Sequence, residues 1–241
     1  MNIVVMNCNT TASMTEAMAS TARSVAAPGT VIIGMQPNWG PDSAEGYFDS
    51  YLTAAAVLDR MTQLPDDVDA VVMAGFGEHG REGARELLTV PVVDVTEAGA
   101  HLALMLGHRY GVVTTLRRAI AQISDSLTTA NLLGGCAAID AADLGVLEIE
   151  EDVEATRKAM LVAAHRVIER GAEVIVLGCA GMVGLREYLE EELPVPVIDS
   201  IEAATKLAES LVGLGLSTSK YLTYAAPRTK KRPGWPISPS Q

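Results

Sequence analysis

The chain has 241 residues and a formal net charge of −12, and nearly half its residues are hydrophobic although only two are Phe and two Trp. That length fits one large α/β unit or two small domains, with an Ala-, Val- and Leu-rich core suited to close helix-on-sheet packing. The acidic balance excludes a nucleic-acid or anionic-membrane surface, which needs clustered Lys and Arg, and no apolar run reaches the roughly 18 residues that span a bilayer.

The opening run "NIVVMN" (2–7) reads as a buried strand, and β-branched runs at 30–35, 69–74, 91–95, 110–115, 144–149, 173–178 and 195–198 predict seven more. Stretches of helical period, such as 16–25 and 155–170, lie between most of them. Alternation of this kind predicts parallel sheets covered by helices on both faces. The basic cluster "RTKKRPGW" (228–235) falls in a Pro-rich tail and is expected to be solvated. The N-terminus lacks the basic flank of a signal peptide. Cysteines at 8, 136 and 179 form no metal spacing and no disulfide framework. A cytoplasmic location with reduced thiols is therefore expected.

An internal repeat organises the chain. "DAVVMAGFG" (69–77) aligns with "EVIVLGCAG" (173–181) and sets Gly75 against Cys179; "VPVVDVTEA" (90–98) aligns with "VPVIDSIEA" (195–203). The expected architecture is two pseudo-symmetric Rossmann-like α/β lobes, the first built from 1–98 with a returning 200–241, the second from 99–199. Ligands of open parallel sheets bind at the carboxyl ends of the strands. Facing lobes would bring the Gly75 and Cys179 loops to opposite sides of one cleft.

Cys179 follows a buried strand and precedes a helical pattern, where unpaired backbone N–H groups and the helix dipole favour a thiolate. Its small neighbours Gly178, Ala180 and Gly181 let a ligand approach the backbone. "VLGCAGM", "VPVID", "AAxKLAESLVGLGLSTSK" (203–220), "NxNTTxSMTE" (7–16) and "GPxSxEGxxD" (40–49) together resemble hydantoin racemases of the aspartate/glutamate racemase superfamily. The resemblance covers residues 2–220. It implies an aspartate/glutamate racemase-like fold, no cofactor and no metal, a small hydantoin-like substrate and a homo-oligomer. It also implies that two cysteines work on opposite faces of the substrate carbon, one removing the C5 proton and the other returning one.

One departure stands out against that pattern. The family motif A-C-F-G-D-P-G is here Ala74-Gly75-Phe76-Gly77-Glu78-His79-Gly80, so the first cysteine's slot is vacated and racemisation is expected to be impaired. Three alternatives follow: a racemase lacking one thiol, a one-cysteine enzyme resembling arylmalonate decarboxylase, or an inactive ligand-binding paralogue. Substitution of the missing thiol by another residue is a further alternative, with His79 and Cys8 as the candidates, although His79 reads as a polar residue on an exposed first turn. Cys8 replaces the proline of the family's N-P-N-[ST] loop, where it either faces the substrate or packs as a bystander. Restoring cysteine at Gly75 is expected to raise racemisation by orders of magnitude. Asn7, Asn9, Ser43, Thr114 and Thr115 are further substrate-binding candidates at strand ends and in the 40–49 loop, alongside Phe76, Gly77, Ala180 and Gly181; Ser43 reads equally well as a helix cap.

Overall fold

The computed structural model describes residues 1–150, 152–179 and 184–238. The first half runs β1 (Asn2–Asn7), α1 (Ala12–Val25), β2 (Val31–Met35), α2 (Tyr47–Met61), β3 (Ala70–Ala74), α3 (Arg81–Leu87) and β4 (Val92–Asp94), leading directly into α4 (Val95–Leu106). The second half runs β5 (Tyr110–Thr114), α5 (Ile120–Thr129), β6 (Cys136–Ala141), α6 (Val153–Glu169), β7 (Val174–Leu177), α7 (Leu185–Glu192), β8 (Val197–Ile198) and α8 (Ser200–Gly213). Each half forms a four-stranded parallel sheet, ordered β2-β1-β3-β4 and β6-β5-β7-β8. The strand order is thus the same in both lobes, and it reverses between β1 and β3 in one and between β5 and β7 in the other.

Strands β1, β3, β5 and β7 are almost wholly buried, as their continuous Val/Ile/Ala runs require of strands covered on both faces. The inner faces of the two sheets share one core. Ile3 and Val72 from the first sheet and Val112 and Val176 from the second meet Ala98, Ala103, Ala204 and Ala208 of α4 and α8. Alanine on these helices keeps the layers close. Gly99 of α4 carries this furthest, because a Cβ there would lie 2.6 Å from Val176 Cγ1. Separate clusters cover the outer faces, one around Met6, Val57 and Met73, the other around Met160, Ile175 and Leu189.

The repeat extends to the helix starts. Asp94 caps α4 by accepting from the N–H groups of Thr96 and Glu97, and Asp199 caps α8 by accepting from Ile201 and Glu202. Gly80 and Gly184 precede α3 and α7 in the left-handed conformation, φ +98° and +73°, which favours glycine. These two helices begin later than the sequence suggests. Cys179 precedes Gly184, the N-cap of α7, in the chain.

Two further expectations are corrected. Residues 144–149 form no strand: the N–H groups of Gly145 and Val146 donate to the carboxylates of Glu148 and Glu45 instead of to a ladder. The fourth strand is β6, "CAAIDA", whose Ala-rich run carries little strand propensity and is held in place by pairing with β5. The basic stretch 228–234 is exposed as expected, but the tail then returns, and Ile237 and Ser238 donate backbone N–H groups to buried Asp59. Among the described residues no helix is long and apolar enough to cross a membrane.

Candidate active site

The carboxyl ends of the inner strands enclose a cavity of about 50 Å³ between the lobes. Cys8, Asn9, Gly75, Phe76 and His79 line it from the first lobe, and Thr114, Thr115, Gly178 and Cys179 from the second. Both strand-order reversals converge here, so the site occupies the switch point of two sheets at once. Register explains the first wall. Asn7 pairs with Ala74, so Cys8 and Gly75 leave β1 and β3 side by side. On the second wall Val113 pairs with Leu177, and Thr114 Oγ1 donates to the Gly178 carbonyl at 2.9 Å, fixing the turn that presents Cys179.

The slot beside Gly75 is not empty. A Cβ at that position would lie 2.6 Å from Cys8 Cβ, 2.8 Å from Cys8 Sγ and 2.6 Å from the His79 ring carbon Cδ2. A cysteine at position 75 would therefore have to displace both neighbours, which revises the expectation that restoring it alone revives the site. Burial pushes the Cys8 thiol up to about 12, and the charge of Cys179 adds to the effect. Cys8 is accordingly a protonated thiol at neutral pH. Cys179 is half-buried, and no disulfide joins the three cysteines.

His79 is not on an exposed turn; it is 4% exposed. Burial pushes it down to about 4, so it is neutral near pH 7. Its Nε2 lies 3.3 Å from the Phe76 carbonyl, to which it donates in the corresponding tautomer, and its buried Nδ1 has no hydrogen-bond partner among the described residues.

The 75–80 loop is clamped by the opposite lobe. Ser126 Oγ of α5 donates to the Gly77 carbonyl at 3.1 Å, and Gln122 Nε2 donates to the Glu78 carbonyl at 3.1 Å. Gly77 N–H is already given to Thr96 Oγ1 at 2.8 Å, so that group is engaged within the fold. Phe76 is buried and forms part of the cavity wall. A second clasp joins Glu45 Oε1 to the Val146 N–H at 3.1 Å.

The remaining candidates separate by role. Asn7 is fully buried and spends its amide on Asn9, Thr11 and Thr15, shaping the loop after β1 from behind the cavity. Asn9 does line the cavity, and among the described residues its Nδ2 reaches only the weak acceptor Met14 Sδ at 3.6 Å. Ser43 sits near Glu45 at 3.5 Å and caps no helix, because α2 starts at Tyr47 with Gly46 as its N-cap. Thr114 and Thr115 both border the cavity. Ala180 and Gly181 lie outside the described residues. Gln122, Ser126 and the Glu45–Val146 contact escaped the sequence reading because each acts between lobes, and no local pattern marks such a partner.

A two-lobed α/β cleft with a strand-end cysteine is an arrangement found in known enzymes. The chain belongs to the Asp/Glu/Hydantoin racemase family, whose pattern matches residues 3–208, and is an isomerase of the racemase class. It is 39% identical over 236 residues to a hydantoin racemase of Pseudomonas sp. (strain NS671), covering 97% of this chain and 95% of the relative. Its structure superposes on an allantoin racemase from Pseudomonas fluorescens with a TM-score of 0.94 at 54% identity, over 96% of this chain and 99% of that one. Arylmalonate decarboxylase shares the fold alone, at 17% identity and a TM-score of 0.58 over 93% of this chain and 97% of that one.

Proposed function

We propose that the chain racemises 5-substituted hydantoins, allantoin among them, by cofactor-independent proton transfer at C5, with Cys179 as the acid/base on one face of the ring. The observation carrying this reading is that Cys179 and the Cys8–Gly75 wall border one small cavity from opposite lobes. The C5 hydrogen of a hydantoin is flanked by a carbonyl and an amide nitrogen, so its removal leaves an enolate-like anion. A thiolate is a soft base suited to that step, and the Asn9 side chain, which lines the cavity, supplies the amide donor to a ring oxygen bearing the charge in this reading. Relatives named for hydantoin and allantoin racemisation support the substrate class.

Gly75 contributes no proton carrier of its own, so racemisation needs a second acid/base from a neighbouring residue and is impaired without one. Glycine there is also the feature that favours a one-cysteine decarboxylase. Against it, Phe76 and Gly77 bring no side-chain donor for a departing carboxylate.

The test follows each enantiomer of allantoin and of 5-benzylhydantoin in D₂O by polarimetry and proton NMR. Loss of rotation from both enantiomers, above the uncatalysed rate, is expected. If neither rotation nor the C5 proton signal changes, the racemase reading is wrong, and release of CO₂ from phenylmalonate would replace it with the decarboxylase.

A further inference from the structure

We propose that Cys8 is the second proton carrier, the thiol that serves the face of the ring opposite Cys179. The proposal rests on the racemase reading above and adds a residue to it.

The geometry carries the assignment. Cys8 and Gly75 emerge from adjacent strands in register, and the Cys8 side chain leans into the volume a side chain at position 75 would enter, its Sγ 2.8 Å from that Cβ position. The two lobes are pseudo-symmetric, yet their thiols sit on non-equivalent strands: Cys179 follows β7, the counterpart of β3, whereas Cys8 follows β1. Neighbouring strands are only about 4.8 Å apart. A thiol moved sideways by one strand therefore reaches the same side of the cavity.

His79 is the other group against this slot, and it is the poorer candidate. It turns ring carbon Cδ2 toward position 75, while Nε2 lies against the Phe76 carbonyl. Burial keeps the ring neutral, so it brings neither an acidic proton of suitable strength nor a cation to activate Cys8.

The reaction balances with these two thiols alone. Cys179 as thiolate takes the C5 proton from one face, and the C–H electron pair passes into the enolate. The Cys8 S–H then gives its proton to the opposite face of the same carbon. The enzyme is left with Cys179 as thiol and Cys8 as thiolate, and proton exchange with water restores the first form. Nothing is oxidised or reduced. Burial that holds Cys8 protonated suits it to be the donor in this direction.

The experiment compares wild type, Cys8→Ala and Cys179→Ala in D₂O with separated enantiomers of 5-benzylhydantoin. Cys8→Ala is expected to lose racemisation by about 100-fold or more while still exchanging the C5 hydrogen of one enantiomer with retained configuration. Cys179→Ala is expected to exchange only the other enantiomer. Retained exchange in Cys8→Ala also reports an intact Cys179 site; should that variant not fold, Cys8→Ser is read in its place. Racemisation by a folded Cys8 variant within about threefold of wild type overturns the assignment, as does loss of exchange from both enantiomers in a folded variant. If wild type itself neither racemises nor exchanges either enantiomer, it is the underlying racemase reading that fails.

Discussion

Cys8 Sγ lies 2.8 Å from where the Cβ of a side chain at Gly75 would stand, so the two positions compete for one volume. Gly75→Cys alone would crowd both the Cys8 side chain and the His79 ring, a type of overpacking that costs about 1–3 kcal/mol. We expect that variant to melt below wild type and to gain no racemase activity. The pair Cys8→Gly with Gly75→Cys, which clears both the Cβ and the Sγ of residue 8 from that volume and leaves only the His79 ring to shift, should instead recover at least about tenfold over Cys8→Gly, since it returns a thiol to that wall. Melting temperatures and racemisation rates of the three variants decide the point; a large gain from Gly75→Cys alone would show that the slot is open.

His79 predicts a pH dependence of stability. Its folded-state value is pushed down to about 4 by burial, whereas the unfolded chain takes up the proton near pH 6.5. Between those values the unfolded state binds more protons, so stability falls as the pH falls, by about 3 kcal/mol across the window. Buried Asp94 and Asp199 act with the opposite sign, because burial raises them to about 7 and about 6 and their protonation favours the fold. Comparing wild type with His79→Phe isolates the histidine contribution. Denaturant unfolding at pH 7 and pH 4.5 should show the acid loss shrinking in the variant; equal slopes would contradict a buried neutral ring.

Glu45 links the lobes beside the cavity, its carboxylate accepting the Val146 N–H while the adjacent Ala44 lines the cavity wall. A hydrogen bond to a charged group contributes about 1.5–3 kcal/mol, enough for roughly a tenfold effect on binding. Glu45→Ala should raise KM for a hydantoin by about tenfold with kcat within about threefold, and Glu45→Gln, which keeps an acceptor, should restore most of the loss. Unchanged KM in the alanine variant would mean that the clasp does not hold the cleft.

Much of this arrangement is written locally. Val-rich runs mark β1, β3, β5 and β7, the repeated V-P-V-[VI]-D endings mark the mirrored lobes, and a cysteine flanked by glycine and alanine marks the second wall. Strand β6 was hidden because "CAAIDA" becomes a strand through pairing with β5, while the more strand-like 144–149 loses its ladder to Glu45 and Glu148. The first wall was hidden for a different reason. Cys8, Gly75 and His79 read as three separate departures from the motifs that the resemblance implies. They meet only once β1 pairs with β3 and the 75–80 loop folds back, placing Cys8 and His79 around the missing Cβ of Gly75. Contacts of that kind depend on register between distant segments, which no single window of sequence contains.

Arg81 anchors the same wall from below. Its guanidinium is 1% exposed and lies 2.7 Å from Glu82, 3.4 Å from Glu97, 3.6 Å from Asp94 and 3.7 Å from Glu78, while Nη1 donates to Ser126 of the other lobe at 3.2 Å. Removing this cation leaves Asp94 buried without its counter-charge, a change that typically costs about 3–5 kcal/mol. Burial already raises Asp94 to about 7, with Arg81 opposing the rise, so Arg81→Met should raise it further. A carboxyl raised in the fold is protonated there first, and its penalty grows as the pH climbs through the folded value. The destabilisation of Arg81→Met should accordingly be larger at pH 8 than at pH 6. Adding Asp94→Asn, which keeps a side-chain oxygen for the α4 cap, should relieve much of it at pH 8 and less at pH 6. Thermal melts of the single and double variants at both pH values test the coupling, and a penalty independent of pH would show that Arg81 acts through packing rather than through its charge on Asp94.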